Sequence, residues 1–238
     1  MPSSFFVYAG RSSLDFGICV EKCPAVGFAG RLVEKISVPG RNGSLLIDAG
    51  SYENVSQTYE IWFRQTGKNT HQAARDIAMW LLSGQGYLRL EDSYDLDVFR
   101  RAVFSGPVDI ENWMLVRGRA ALQFDCKPQR FLKSGESWLS VTAGQKLTNP
   151  WMPALPLVKI SGSGSGILEI GASAIAVTGL SGTMTIDSDT QDAYAGSQNK
   201  NNSITVTGGF PVLQTGQTSV SFSGGITAVS IMPRWWTL

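Results

Sequence analysis

Nucleophilic catalysis needs a base beside its nucleophile, and this chain of 238 residues has a single histidine, His71. His71 falls among polar residues at a predicted helix start, where an imidazole is solvated or caps the helix. The three cysteines, Cys19, Cys23 and Cys126, place Cys19-x3-Cys23 at half a metal-site spacing. A four-ligand zinc site would still need a carboxylate, so they read as reduced, mostly buried thiols of a protein made in the cytoplasm. Glu91-Asp-Ser-Tyr-Asp-Leu-Asp97 lacks the spacing and turn glycine of a calcium loop, which leaves a solvated strand connection. Asp187-Ser-Asp189, followed by Asp192, has the residue types of a glycosidase acid pair, but a polar turn is the stronger reading. Gly162-x-Gly-x-Gly166 lacks the lysine and following helix of a phosphate loop. The sequence thus indicates no catalytic residue, no metal site and no cofactor. Trp151, Trp235 and Trp236 are candidate sugar platforms, although tryptophans near prolines at strand ends more often pack against a core. Arg41, Arg64, Arg100, Arg101, Arg117 and Arg119 give the first half many forked donors, suited to a protein interface or to scattered surface charge.

What would position such groups is a mainly β chain with one helix. Apolar residues make up 43% of it and the net charge is +1, enough for a core and no general attraction to nucleic acid or membrane. There is no apolar run of about 18 residues and no signal-peptide pattern at the start. Residues 1–134 carry 30 of the 39 formal charges and residues 135–238 only nine. Between the halves lie linker marks at Cys126-Lys-Pro-Gln-Arg130 and Asn149-Pro-Trp-Met-Pro-Ala-Leu-Pro156. The expected domains are 1–138 and 139–238.

In the first half, Leu32–Val38 and Leu45–Ile47 read as hairpin arms around Pro39-Gly-Arg-Asn-Gly43, where Asn-Gly readily takes positive φ. Ser56–Phe63 alternates, with Tyr59, Ile61 and Phe63 on one side. Asn69 or Thr70 caps a helix to about Leu82, whose face is Ala73, Ala74, Ile77, Trp80 and Leu81. Tyr87–Leu90, Val98–Phe104 and Met114–Phe124 are further strands, giving an α+β arrangement. The second half is all β, with short strands at 157–160, 166–170, 174–177, 183–186 and 204–206. Gly162–Gly166 reads as a loop between two of them. A closing hairpin is expected to turn at Gly224-Gly225, with Val220 and Phe222 facing the core, a bulge near Ala228 and a stop at Pro233. That rhythm suggests a β-sandwich.

The ordered set of Phe16-Gly17-Ile18, Val38-Pro-Gly-Arg-Asn-Gly43, Gly50-Ser-Tyr-Glu-Asn54, Trp80-Leu-Leu-Ser-Gly84, Asn149-Pro-Trp-x-Pro-Ala-Leu-Pro, Thr185-Ile-Asp187, Gly209-Phe-Pro-x-Leu213 and Pro233-Arg-Trp235 resembles the distal tail protein (Dit) family of long, non-contractile-tailed phages. The resemblance runs the length of the chain. It implies an N-terminal tail-tube-like α+β/β-barrel domain that forms a six-membered ring, and a C-terminal galectin-like β-sandwich on the ring's outer side. It further implies a homohexamer at the distal end of the virion tail, joining the tail tube protein to a tail-tip or tail-associated protein, with the tape measure a further candidate partner. The lumen would pass DNA without reading its sequence, and no membrane is involved. Gly216-Gln217 stands where many members have Gly-Asn. The second half lacks the long insertion of saccharide-binding members, which weighs against glycan recognition. The competing readings are a carbohydrate-binding adhesin module and, more remotely, a cell-wall glycosidase. A ring needs one patch to meet a different patch on its neighbour. The Ile36–Tyr52 hairpin, with Pro39, Arg41, Leu45, Leu46 and Ile47, is the expected element, adding strand to strand on the next subunit.

Overall fold

The computed structural model describes residues 4–64, 70–104, 106, 111–114 and 117–238. The chain divides into two compact units, the first ending at Arg130 and the second running from Phe131 to Thr237.

The first unit holds β1 (Phe6–Tyr8), β2 (Arg11–Ser12), β3 (Ile18–Val20), β4 (Arg31–Ser37), β5 (Ser44–Tyr52), β6 (Val55–Arg64), α1 (Thr70–Leu82), β7 (Leu88–Asp92), β8 (Val98–Phe104), β9 (Glu111–Met114) and most of β10 (Arg117–Leu132). Its main sheet runs β2-β1-β7-β8-β10-β6-β3, with β9 also on β10. The predicted helix is observed, with Ala73, Ile77, Trp80 and Leu81 buried, the face its three-and-four spacing requires. Asn69, one of its two candidate caps, lies outside the described residues, as do Leu115 and Val116 of the predicted 114–124 strand. Tyr59, Ile61, Phe63, Leu122 and Phe124 are buried as period-two alternation demands. The core is largely aromatic: Phe6 lies 5.0 Å from Tyr59, and Tyr8 lies 5.0 Å from Phe124, ring centre to ring centre. The expected linker at 126–130 is instead strand, the far end of β10. Pro128 fits there because the pairing with β6 has already ended at Cys126↔Val55, so no ladder bond with β6 is lost.

The second unit holds β11 (Leu139–Val141), β12 (Gln145–Asn149), β13 (Leu157–Ile170), β14 (Ser173–Asp187), β15 (Asp192–Ala195), β16 (Gln198–Asn199), β17 (Ile204–Thr207), β18 (Gly216–Met232) and β19 (Trp236–Thr237). Here three glycine clusters read from the sequence as breaks are not breaks. Gly162–Gly166 is inside β13, Gly179–Gly182 is inside β14, and Gly224-Gly225, expected as a hairpin turn, is inside β18. The glycines sit level with one another: Gly162↔Gly182 joins β13 to β14, and Gly166↔Gly224 joins β13 to β18. Register shifts fall at the same place in both pairings. Bulges and glycines together bend a sheet sharply. A Cβ on Gly162 would stand 1.9 Å from the Gly225 carbonyl oxygen, so glycine is what lets the backbones meet at the corner.

Each of the three long strands therefore serves two layers. On one side of the corner β12 and β17 flank them; on the other, β11, β15 and β16 do. Ile170, Ile175 and Val220 from the first layer share one core cluster with Val158, Ile186, Val229 and Ile231 from the second. The expected β-sandwich is present, closed by bent strands rather than by short ones. The bulge near Ala228 is also present, between Ser161↔Ala228 and Gly162↔Ile226, and the strand ends at Met232 before Pro233.

Candidate functional site

Among the described residues the β4–β5 hairpin pairs with no other strand and forms a sheet of its own. Every residue from Arg31 to Ser51 is exposed. Its turn is type II over Val38-Pro-Gly-Arg41: the Arg41 N–H donates to the Val38 carbonyl at 3.2 Å, and Gly40 takes φ +78°. Positive φ, expected at Asn-Gly, falls on Gly40 and Gly43 and not on Asn42. Pairing Ile36↔Leu45 and Glu34↔Ile47 places Ile36, Leu45 and Ile47 on one face, with Leu46 opposite Lys35 on the other. Leu45, Leu46 and Ile47 are 42%, 61% and 46% exposed. An isolated two-stranded ribbon is marginal in water. This one exposes apolar side chains and leaves both strand edges unpaired among the described residues, which are the features of a docking element.

The residues considered for catalysis are engaged elsewhere. The Asp187 carboxylate takes two hydrogen bonds from Arg234, at 2.6 and 2.9 Å, and one from the Asp189 N–H at 2.9 Å. Burial alone would raise its pKa, but the Arg234 hydrogen bonds and backbone N–H groups hold it below the ordinary carboxylate value. A glycosidase acid needs the opposite shift. In the 91–97 segment, Asp92 accepts from the Tyr59 hydroxyl and from the N–H groups of Tyr94 and Asp95, which makes the segment a self-capped turn. Cys126 is buried, and burial pushes its thiol up to about 11, far from a thiolate nucleophile. Cys19 is half-buried and Cys23 exposed, so the expectation of buried thiols holds for Cys126 alone. His71 lies exposed in the first turn of α1. Among the described residues no cluster of metal-ligating side chains forms.

The three candidate sugar-stacking tryptophans occupy different environments. Trp235 packs against the core of its unit. The Trp236 indole donates to the Pro153 carbonyl at 2.9 Å. Trp151 is 40% exposed, with its backbone held between Asn149 and Thr215.

The fold joins several of the sequence segments named above in pairs. Phe16 stacks on Trp80 at 4.3 Å. Asp187 holds Arg234. Asn149 is buried and donates to the carbonyls of Met152 and Leu213, both at 2.9 Å, while Ala154 and Leu213 bridge backbone to backbone. These segments are internal joints. Asn149→Ala would strand the Met152 carbonyl and the Trp151 N–H and leave the Leu213 carbonyl with the Ala154 N–H alone. We expect a loss of about 2 kcal/mol in urea unfolding; a loss below about 0.5 kcal/mol would mean the joint is not structural.

No family model matches the chain, and neither does any curated protein. Solved structures share its fold, among them two from phages. The Dit protein of phage SPP1, described as a paradigm of the hub adsorption apparatus in phages infecting Gram-positive bacteria, aligns over 99% of both chains with a TM-score of 0.73 and 12% identity. A chain of the phage p2 baseplate, in its activated conformation with Sr, aligns over 96% of both with a TM-score of 0.53 and 8% identity. Along both of its units, this chain therefore has the fold of the SPP1 Dit protein, a fold also present in the phage p2 baseplate.

Proposed function

We propose that this protein is a structural component of a long, non-contractile phage tail, without enzymatic activity. Six copies close a ring at the distal end of the tail tube, join the tube to the tail-tip or baseplate and receptor-binding apparatus, and leave a lumen through which DNA passes. The N-terminal unit makes the ring and the galectin-like sandwich lies on its outer side. The full-length likeness to a hub protein supports the tail role. The observation that carries the ring is the exposed, self-paired β4–β5 hairpin. A heterologous contact, one patch against a different one, closes a ring, and a ribbon with open edges can supply it by strand addition.

The test is mass and shape. Light scattering should give about six times the 25.7 kDa chain mass, and negative-stain images should show six-fold rings with a central hole. Substituting Arg41→Glu, Leu46→Ser and Ile47→Ser together should yield monomers. These side chains are exposed, so monomer stability should change by no more than about 0.5 kcal/mol for each. A hexamer that survives the triple substitution removes the hairpin from the interface, and a wild-type protein that never forms rings on tail tubes removes the ring itself.

A further inference from the structure

Asn42 is the one asparagine of the chain that is followed by glycine, and it sits at the tip of the β4–β5 hairpin. A carboxamide in that position is within reach of the next residue's backbone nitrogen, and closing the two gives a cyclic imide. Two things ordinarily prevent the attack. A side chain on the next residue crowds the nitrogen, or a hydrogen bond holds the nitrogen or the carboxamide in place. Gly43 has no side chain. Among the described residues neither the Gly43 N–H nor the Asn42 side chain has a hydrogen-bond partner. The strand pairing stops at Ser37↔Ser44, and the turn's own bond is made by the Arg41 N–H. Asn42 and Gly43 are both exposed, so water reaches them.

Ring closure also needs the tip to leave its resting backbone geometry. A ribbon that belongs to no larger sheet is marginal in water and opens at low cost. Nothing lies within 4 Å of the place where a Cβ on Gly43 would stand, so no neighbour blocks that movement. Other asparagines lack this freedom. The Asn54 amide donates to Tyr87 and Asp125. Asn149 is buried and precedes a proline. Asn201 accepts from the Ala193 N–H and donates to Asp192.

We propose that Asn42 is a self-modification site, at which the chain deamidates its own hairpin tip. The Gly43 nitrogen bonds to the side-chain carbonyl carbon of Asn42. The bond from that carbon to the amide nitrogen breaks, and the displaced nitrogen leaves as ammonia with the proton from Gly43. Water then opens the imide. Addition at the side-chain carbonyl gives aspartate. Addition at the main-chain carbonyl gives isoaspartate, whose backbone runs through the former side chain and is one carbon longer. Water enters, ammonia leaves and nothing is oxidised or reduced. Either product places a new negative charge beside Arg41. The consequence for assembly rests on the ring reading above: the reaction belongs to subunits not yet assembled, and a charged or lengthened tip makes an aged subunit a poor ring partner.

The full chain, kept dilute enough to be monomeric, would be aged at neutral and at mildly alkaline pH and digested with trypsin. Mass spectrometry of the 42–64 peptide reads the exchange of NH for O, and enzymatic methyl transfer reads isoaspartate. Asn42 is expected to be the fastest site in the chain, by about tenfold or more, and to react within about tenfold of the rate in a linear peptide of residues 37–45. The rate should rise with pH, because the attacking nitrogen must lose its proton. Asn42→Gln keeps the amide but must close a larger ring, and should stay unmodified. Asn42→Asp and the aged wild type should both form fewer hexamers than fresh wild type. The proposal is overturned if Asn42 reacts more than about tenfold slower than the linear peptide, if any other asparagine reacts as fast, or if no isoaspartate forms. An Asn42→Asp chain that assembles as readily as fresh wild type overturns the consequence for assembly. The mass readout does not depend on the ring, so a chain that ages as expected but never builds rings when fresh defeats the ring reading alone.

Discussion

Arg234→Ala is expected to lower the stability of the C-terminal unit by about 3 kcal/mol. The guanidinium and the Asp187 carboxylate are 21% and 11% exposed as side chains, so removing either leaves a charge largely cut off from water. That penalty, more than the intrinsic attraction of the pair, sets the size of the effect. Asp187→Asn should cost nearly as much, because Arg234 then faces an uncharged partner. The two variants together should cost less than their sum, as expected for groups in direct contact.

The same pair gives a dependence on pH. The Asp187 pKa is lowered in the folded state, so its contribution is complete above the unfolded carboxylate value of about 3.9. It is lost as pH falls through the lower folded value. Urea midpoints of the wild type should drop on acidification in that window, and those of Asp187→Asn should drop less. Arg234 also carries a backbone cost, with φ at +57°, a region disfavoured for non-glycine residues. Arg234→Gly loses the same ion pair but relieves that strain, and should be about 1 kcal/mol more stable than Arg234→Ala. Equal stabilities would mean the left-handed turn at Pro233-Arg-Trp235 costs nothing.

Which parts of the molecule could be read in advance follows from the physics of each signal. The helix Thr70–Leu82 and the strand Val55–Arg64 were legible because burial on one face imposes a period, 3.6 or 2, on residue type. The β-sandwich was legible from its alternating apolar runs. The segments that tie Asn149 to Leu213 and Asp187 to Arg234 were visible as segments, but their pairing spans 64 and 47 positions, and no local pattern encodes it. The glycines misled because glycine permits both a turn and a close backbone approach, and only the facing strand distinguishes the two.

That distinction gives the largest single-residue effect expected in the C-terminal unit. Gly225→Ala adds a methyl group whose carbon would stand 1.9 Å from the Ser163 carbonyl oxygen and 3.1 Å from that of Ser165. Both atoms are backbone, so no rotamer change relieves the clash. Strand β13 cannot retreat, since Ser163 is paired on its other side with Ser181 of β14. The corner must open, and with it the contact between layers that buries Val158, Val229 and Ile231. A loss of at least about 4 kcal/mol is expected, beyond the ordinary range for a surface position. Gly182→Ala supplies the contrast. Gly182 takes φ +85° but has nothing within 4 Å of its would-be Cβ, so only the backbone term of about 1 kcal/mol applies. Urea unfolding followed by tryptophan fluorescence compares the two. If Gly225→Ala proves as mild as Gly182→Ala, the strands do not approach at the corner as closely as the fold requires, and Gly224-Gly225 reverts to a turn.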